Sequence, residues 1–153
     1  MSVTPDQHDL RILRQLQRDA SQPLERLADA VGLSRNAVWR RVRALEDAGI
    51  IRARVAVLDA ERMGLGVSVF VAVRAARHDA DWHARFVRAV RAIPSIVGAW
   101  RTSGELDYLL HARLADVRAY DALYQRLIEK VEIADVSASF VMEAIKETSE
   151  IPI

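Results

Sequence analysis

Apolar residues recur at helical spacing three times in the first fifty positions. Ile12, Leu13 and Leu16, with Leu10 at one side, form one stripe; Leu24, Leu27, Ala28 and Val31 form a second; Val38, Val42 and Leu45 form a third. That periodicity predicts three short helices. Thr4-Pro5-Asp6-Gln7 reads as the first helix start, with Thr4 as N-cap, Pro5 at the first helical position and Gln7 closing a T-x-x-Q capping box. This helix runs to about Arg18 and braces the next two. Ser21-Gln22-Pro23 turns into the second helix, with Pro23 near its first position. Gly32 stands where the chain must turn sharply, and glycine takes a left-handed backbone without strain. Leu33 then points back inward, Ser34 can cap the third helix through its hydroxyl, and Gly49 stops it. Two helices joined by a short, Gly-containing turn are a helix-turn-helix.

After Gly49 the pattern changes. Residues 50–58, IIRARVAVL, are rich in β-branched side chains and alternate in part, which predicts a strand, either a wing or an exit linker. Residues 59–66, with Met63, Gly64 and Gly66, mark a domain boundary. Residues 67–75 alternate Val67, Val69, Val71 and Val73 with Ser68, Phe70, Ala72 and Arg74, a strand. A helix follows over 81–93, with Trp82, Phe86, Ala89, Val90 and Ile93 on one face and Pro94 ending it. Strands are predicted over 96–102 and 107–114, joined by the turn Ser103-Gly104-Glu105-Leu106. Asp116 caps a helix carrying Val117, Tyr120, Leu123, Tyr124, Leu127 and Ile128, and residues 135–145 form a last strand. The order β-α-β-β-α-β is a ferredoxin-like split βαβ unit. The fold class is therefore α+β, with a (winged) helix-turn-helix domain over 1–50, a strand and linker over 51–65, and a ferredoxin-like domain over 66–153. Four antiparallel strands carrying both helices on one face leave the other face bare. Apolar residues occur on both strand phases, and an uncovered apolar face marks an interface. The expected assembly is a dimer, sheet facing sheet.

Charge sharpens the reading of the third helix. With Val38, Val42 and Leu45 inward, Arg35, Asn36, Trp39, Arg40 and Arg43 lie outward or on the flanks. The arginines at 35, 40, 41 and 43 precede the first acid, Glu46. Arginine presents a planar fork that fits phosphate and the acceptor edge of guanine, and asparagine pairs with adenine. Ser34 and the free amides of the helix start suit a phosphate. Trp39 either stacks on the sugar–phosphate backbone or packs on its own domain. A solvated basic face is the plainer alternative, but the turn, the cap, the core spacing and the clustered arginines together favour a DNA-reading helix. The expected contacts are Ser34, Arg35, Asn36, Trp39, Arg40 and Arg43. The formal net charge of +1 hides an asymmetry: residues 1–58 carry ten Arg against seven acids, and residues 59–153 twelve Lys and Arg against fourteen acids. A basic head on a mildly acidic body suits a DNA partner.

Much chemistry is not expected. There is no cysteine among the 153 residues, hence no disulfide and no thiolate site. No apolar run approaches a membrane span, and no signal-peptide core is visible near the start, so a soluble, cytoplasmic protein with no membrane partner is expected. His8, His78, His83 and His111 form no metal pattern: His78 and His83 stand five apart, not at i, i+4. No P-loop, G-x-G-x-x-G or G-x-S-x-G occurs. Neither a catalytic residue, a metal nor a cofactor is expected.

Several segments together resemble one family. Asp9-x-x-Ile12-Leu13, LADAVGLS at 27–34, RRVRALEDAGII at 40–51, SGELDYLL at 103–110 and VMEAIKETSEIP at 141–152 look like an Lrp/AsnC (feast/famine) transcriptional regulator. The resemblance covers roughly residues 4–148. It implies a regulator that binds palindrome-like double-stranded DNA as a homodimer, commonly assembled to an octamer, and responds to a small-molecule effector, often an amino acid. Carried onto this chain, it implies an effector site at Thr102, Ser103, Gly104, Asp107 and Tyr108, with Ser137 and Ser139 on a looser match. Strand–turn–strand amides suit a carboxylate, and Asp107 suits an ammonium; a tight hairpin turn with Tyr108 in the core is the alternative. A siroheme-decarboxylase-like enzyme on the same two-domain plan is the competing function. That reading calls for His and Arg in a tetrapyrrole pocket, whereas the arginines here concentrate on the third helix.

Overall fold

The computed structural model describes residues 4–153. Three helices, α1 Gln7–Arg18, α2 Leu24–Val31 and α3 Arg35–Asp47, are followed by β1 Val67–Ala75, α4 Ala80–Arg91, β2 Ile96–Arg101, β3 Tyr108–Leu114, α5 Arg118–Ile128 and β4 Ile133–Phe140. The α+β class and the order of elements agree with the sequence reading. The chain groups into two units, Leu58–Ile145 and a head made of Met1–Val57 with Lys146–Ile153.

In the head, Ile12, Leu27, Ala28, Val31, Val38 and Val42 form one buried cluster from the three predicted stripes. The start of α1 differs from expectation. Its N-cap is Asp6, whose carboxylate accepts the His8 and Asp9 amides at 2.8 and 2.9 Å, while Asp9 accepts the Asp6 amide at 3.0 Å. The capping box is Asp6/Asp9 rather than Thr4/Gln7. Two carboxylates at the positive helix end make charge-assisted bonds that a hydroxyl and an amide do not match.

The strand expected over 50–58 does not form. Val55 and Val57 are 77% and 86% exposed, and the segment joins no sheet. Its β-branched alternation is a strand pattern, but a strand needs a ladder, and among the described residues none is offered. Residues 146–153 depart from the expected boundary by lying with the head. There the Gln17 side-chain amide pairs with both backbone groups of Ile151, at 2.7 and 3.1 Å, and Arg14 Nε donates to the Ile153 carbonyl at 2.6 Å.

The second unit is a four-stranded antiparallel sheet in the order β2-β3-β1-β4. β1 is central and has the nearly all-valine phase that a buried strand needs. Val69, Val71 and Val73 lie with Leu110, Ala112 and Leu114 in a core that also holds Trp82, Phe86, Leu123 and Leu127 of the helices. β4 ends at Phe140, short of the expected 145, and Met142 and Ile145 are exposed. On the opposite face the register places Phe70 beside His111 and Ser139, and Ala72 beside Leu109 and Ser137, with Trp100 opposite Leu109. Phe70 and His111 stack with ring centroids 4.6 Å apart, and Trp100 remains 51% exposed.

Trp82 anchors the helix layer: it is 1% exposed, stacks on Phe86 at 5.1 Å, and donates its indole N–H to the Glu132 carbonyl at 2.6 Å. Trp82→Ala should lower the stability of the sheet domain by about 3–5 kcal/mol, read from the urea midpoint of its unfolding. An unchanged midpoint would show that this ring is not the anchor.

Candidate nucleic-acid interface and ligand site

The turn before α3 has the geometry its residues suggest. Gly32 sits at φ 68°, ψ 38°, and the Leu33 amide donates back to the Ala28 carbonyl at 3.1 Å, closing α2. Ser34 Oγ accepts the Ala37 amide at 3.3 Å and caps α3. Burial of Val38, Val42 and Leu45 then fixes the opposite face, where Ser34, Arg35, Asn36, Trp39, Arg40 and Arg43 are all exposed. Trp39 is 58% exposed, so it does not pack on its own domain.

The charges on this face run against helix stability. The first turn of α3 has no acid and begins with Arg35, at the end where the helix dipole favours negative charge. A cation there beside free amides is what an anionic partner would need. Arg35 reaches Glu25 at 3.1 Å, with both side chains exposed; Arg43 lies 3.9–4.0 Å from Asp47 and Glu46. Such exposed pairs are weak and leave both guanidiniums available. Arg40 has no ion-pair partner among the described residues.

Arg41 belongs to a different structure. Its guanidinium bonds Asp6 at 2.7 Å and Asp9 at 2.9 Å, tying α3 to the cap of α1. The four-arginine run thus divides into three outward side chains and one bracing side chain. On a helical wheel Arg41 falls about 60° from Val38 while Arg40 and Arg43 fall about 140–160° away, which is the signal that separates it from those two. The Asp9 amide together with Arg41 holds the Asp6 carboxyl down at about 2, from an ordinary 3.8. A lowered carboxylate pKa contributes stability above the unfolded value and loses it as pH falls through the folded one. The head should therefore lose Asp6's contribution between roughly pH 4 and 2, and Asp6→Asn should flatten its thermal midpoint across that window. A midpoint in the variant that falls as steeply as in the wild type would contradict this.

In the sheet domain the expected effector residues divide. Thr102 and Asp107 close the β2–β3 hairpin, with the Thr102 amide donating to the Asp107 carbonyl at 2.9 Å and the Thr102 hydroxyl donating to the Leu106 carbonyl. Gly104 takes φ 116°, which favours glycine, while Ser103 is exposed on the turn. Asp107 also locks the hairpin to β1: its amide donates to the Val73 carbonyl at 3.1 Å, and its Oδ2 accepts the Ala75 amide at 2.8 Å. Tyr108 is buried against Trp82 and Phe86 on the helix side. Ser137 and Ser139 lie in register with Ala72 and Phe70 on the other face of the sheet, so the structure does not bring them to Tyr108.

Asp107 and Tyr108 do meet at a cavity of about 290 Å³ between the hairpin and the start of α4. Sequence reading expected neither the ionisable lining residues Arg77, His78, Asp79, His83 and Arg101 nor Ala80 and Trp82 at this site. The two histidines fail as a metal pair by spacing, and only the β1–α4 connection brings them beside the hairpin. Arg101 had a signal: it directly precedes the hairpin and pairs with Tyr108 across β2 and β3. No cluster of metal-ligating side chains occurs among the described residues, nor any helix long and apolar enough to cross a membrane.

Comparison with known proteins matches both units. Residues 5–52 match a winged helix-turn-helix DNA-binding family and residues 68–151 the Lrp/AsnC ligand binding domain. The chain is 42% identical over 149 residues to the DNA-binding transcriptional activator DecR of Escherichia coli, covering 97% of this chain and 98% of that one. It is 42% identical over 148 residues to the glutamate uptake regulatory protein of Zymomonas mobilis, covering 97% and 90%. Among solved structures, an AsnC family transcriptional regulator from Agrobacterium tumefaciens superposes with a TM-score of 0.93 at 46% identity, with 97% of each chain covered. A transcriptional regulator from Neisseria meningitidis in complex with L-Met also superposes at 0.93, with 34% identity and 97% of each chain covered.

Proposed function

Because the chain belongs to the Lrp/AsnC family of DNA-binding transcriptional regulators, we propose that α3 reads double-stranded DNA through Ser34, Arg35, Asn36, Trp39, Arg40 and Arg43, under the control of an amino acid held in the sheet domain. The observation that carries the reading is the composition of the exposed α3 face: three arginines, an asparagine and a half-exposed tryptophan on a helix whose start carries a cation and free amides. Phosphate contacts supply affinity and salt dependence, and base contacts supply specificity. The relatives named above are regulators, which supports this reading over tetrapyrrole decarboxylation, and the protein works in the cytoplasm, without a catalytic step.

The protein acts as a homodimer built on the bare sheet face. Phe70, Leu109 and His111 are partly exposed and Trp100 half-exposed on this face, the kind of aromatic and apolar surface that marks an interface. Sheet-to-sheet pairing buries it and gives each assembly two α3 helices, the arrangement that a palindromic site requires. Higher assembly to an octamer is compatible with the family. The effector reading draws on the L-Met complex of the Neisseria relative and on the size of the hairpin cavity.

Two measurements check this reading. In fluorescence anisotropy with duplex DNA from the protein's own upstream region, Arg40→Ala should weaken binding by about 1–3 kcal/mol while circular dichroism stays unchanged. Wild-type affinity in that variant would remove α3 from the DNA. In sedimentation, Phe70→Asp should convert a dimer into a monomer at micromolar concentration; a monomeric wild type would remove the sheet face as an interface.

A further inference from the structure

β4 closes one end of the sheet, and its outer row of backbone amides and carbonyls has no partner strand among the described residues. A cavity of about 370 Å³ runs along that edge, lined by Ile133, Ala134, Asp135 and Val136 of β4 and by Tyr120, Tyr124 and Ile128 of α5. Successive strand residues point to opposite faces, so a space touched by consecutive residues lies against the edge of the strand. The far wall is a second apolar stripe of α5. Leu123 and Leu127 enter the core, whereas Tyr120, Tyr124 and Ile128 follow one another at i, i+4 and i+8 on the flank. An open edge beside an apolar wall is the geometry in which an extended segment adds a strand, main-chain bonds giving affinity and alternate side chains giving specificity.

Residues 50–58 are such a segment. They alternate as a strand, leave Val55, Val57 and Leu58 exposed, and join no sheet of their own chain. We infer that residues 50–58 of a second copy of this chain dock on the outer edge of β4. The two sides of their alternation match the two sides of that edge. Val136 pairs with Val73 of the core, so its side of β4 faces the helices, while Asp135 pairs with Arg74 on the bare side. Ala53, Val55 and Val57 then lie toward Tyr120, Tyr124 and Ile128, and Arg52 and Arg54 lie toward Asp135. Arg74 does not take up that acid: its Nε donates to the Glu105 carbonyl at 3.3 Å, and Asp135 has no ion-pair partner among the described residues. Arg52 has none either, and Arg54 holds Glu46 in an exposed pair at 2.8 Å. The reverse seating would press guanidiniums against the tyrosine wall without a counter-charge. The register shift at Arg74/Ala75 interrupts the edge near Ala134, which leaves residues 135–140 as the regular pairing row. The docking uses the edge of the sheet and not its face, so it leaves the sheet-to-sheet dimer free to form and does not depend on it.

The chain has no cysteine, so single introduced cysteines test this cleanly. Full-length Val55→Cys and Tyr124→Cys variants, one carrying a size tag, are co-expressed, purified and treated at micromolar concentration with a short bismaleimide. A covalent pair of one tagged and one untagged chain is expected. Val97→Cys in place of Tyr124→Cys, exposed on the edge strand β2 at the other end of the sheet, should give none. Adding Val57→Asp to the Val55→Cys chain should cut the yield about tenfold or more, because a carboxylate would enter the apolar wall. Val57 is exposed, so circular dichroism of that variant should match the wild type. Absence of the 55–124 pair, while sedimentation still shows a wild-type dimer, overturns the docking and leaves the sheet-face dimer standing. Full yield with Val57→Asp overturns the seating of the valines on the tyrosine wall. Joining of Val55→Cys to itself, with none to Tyr124→Cys, gives the segment a different partner and overturns the docking as well.

Discussion

The head depends on one constraint: α3 has to bury Val38 and Val42 in the cluster it shares with α1 and α2, with Leu45 buried as well. Once those three are inward, the helical repeat leaves no freedom in what faces out. The turn at Gly32 and the Ser34 cap set where the helix starts, and the core sets its rotation. Arg41 then falls beside the α1 cap, where Asp6 and Asp9 take it. Arg35, Asn36, Trp39, Arg40 and Arg43 are left facing solvent, with charge that within the fold meets only weak exposed pairs to Glu25, Glu46 and Asp47. Local rules are broken where a partner is needed: Arg35 stands at the helix end that favours an acid, and Trp39 stays half exposed.

The sheet domain works by the same logic with a period of two. The valine phase of β1 is consumed by the helix layer, so the other phase has to present Phe70 and Ala72 to the opposite side. Trp100, Leu109 and His111 extend that surface across the neighbouring strands. One strand pattern thus provides both a core and the surface proposed as the interface. The hairpin after β2 is held by Asp107 rather than by its own turn alone. That leaves the adjoining cavity with two arginines and two histidines around an aromatic floor.

Local signals were legible in the sequence, and long-range ones were not. The three helical stripes, the Gly32 turn, the Ser34 cap and the βαββαβ order follow from periodicity and turn chemistry, which act over a few residues. The cap of α1 was misplaced by two positions because Asp6/Asp9 and Thr4/Gln7 both fit a capping pattern, and only Arg41, 35 residues away, adds weight to the acids. Residues 50–58 have strand composition without a strand, because composition does not supply a pairing partner. Residues 146–153 read as part of the sheet domain, although Gln17 and Arg14 hold them to α1. Of the residues lining the hairpin cavity, Asp107 and Tyr108 were visible through the hairpin. His83 and Arg77 were not, because the β1–α4 connection brings them in from another part of the chain, and strand phase places Ser137 and Ser139 on the sheet face opposite Tyr108.

The central claim is that the exposed face of α3 is the DNA-contacting surface. Hydrogen–deuterium exchange of the full chain, with and without duplex DNA at low salt, tests it most directly, because low salt holds even nonspecific duplex on a basic surface. The account predicts protection concentrated at residues 32–43, with the exposed helix faces of α4 and α5 unaffected. Protection on α4 or α5 with none on α3 would contradict it.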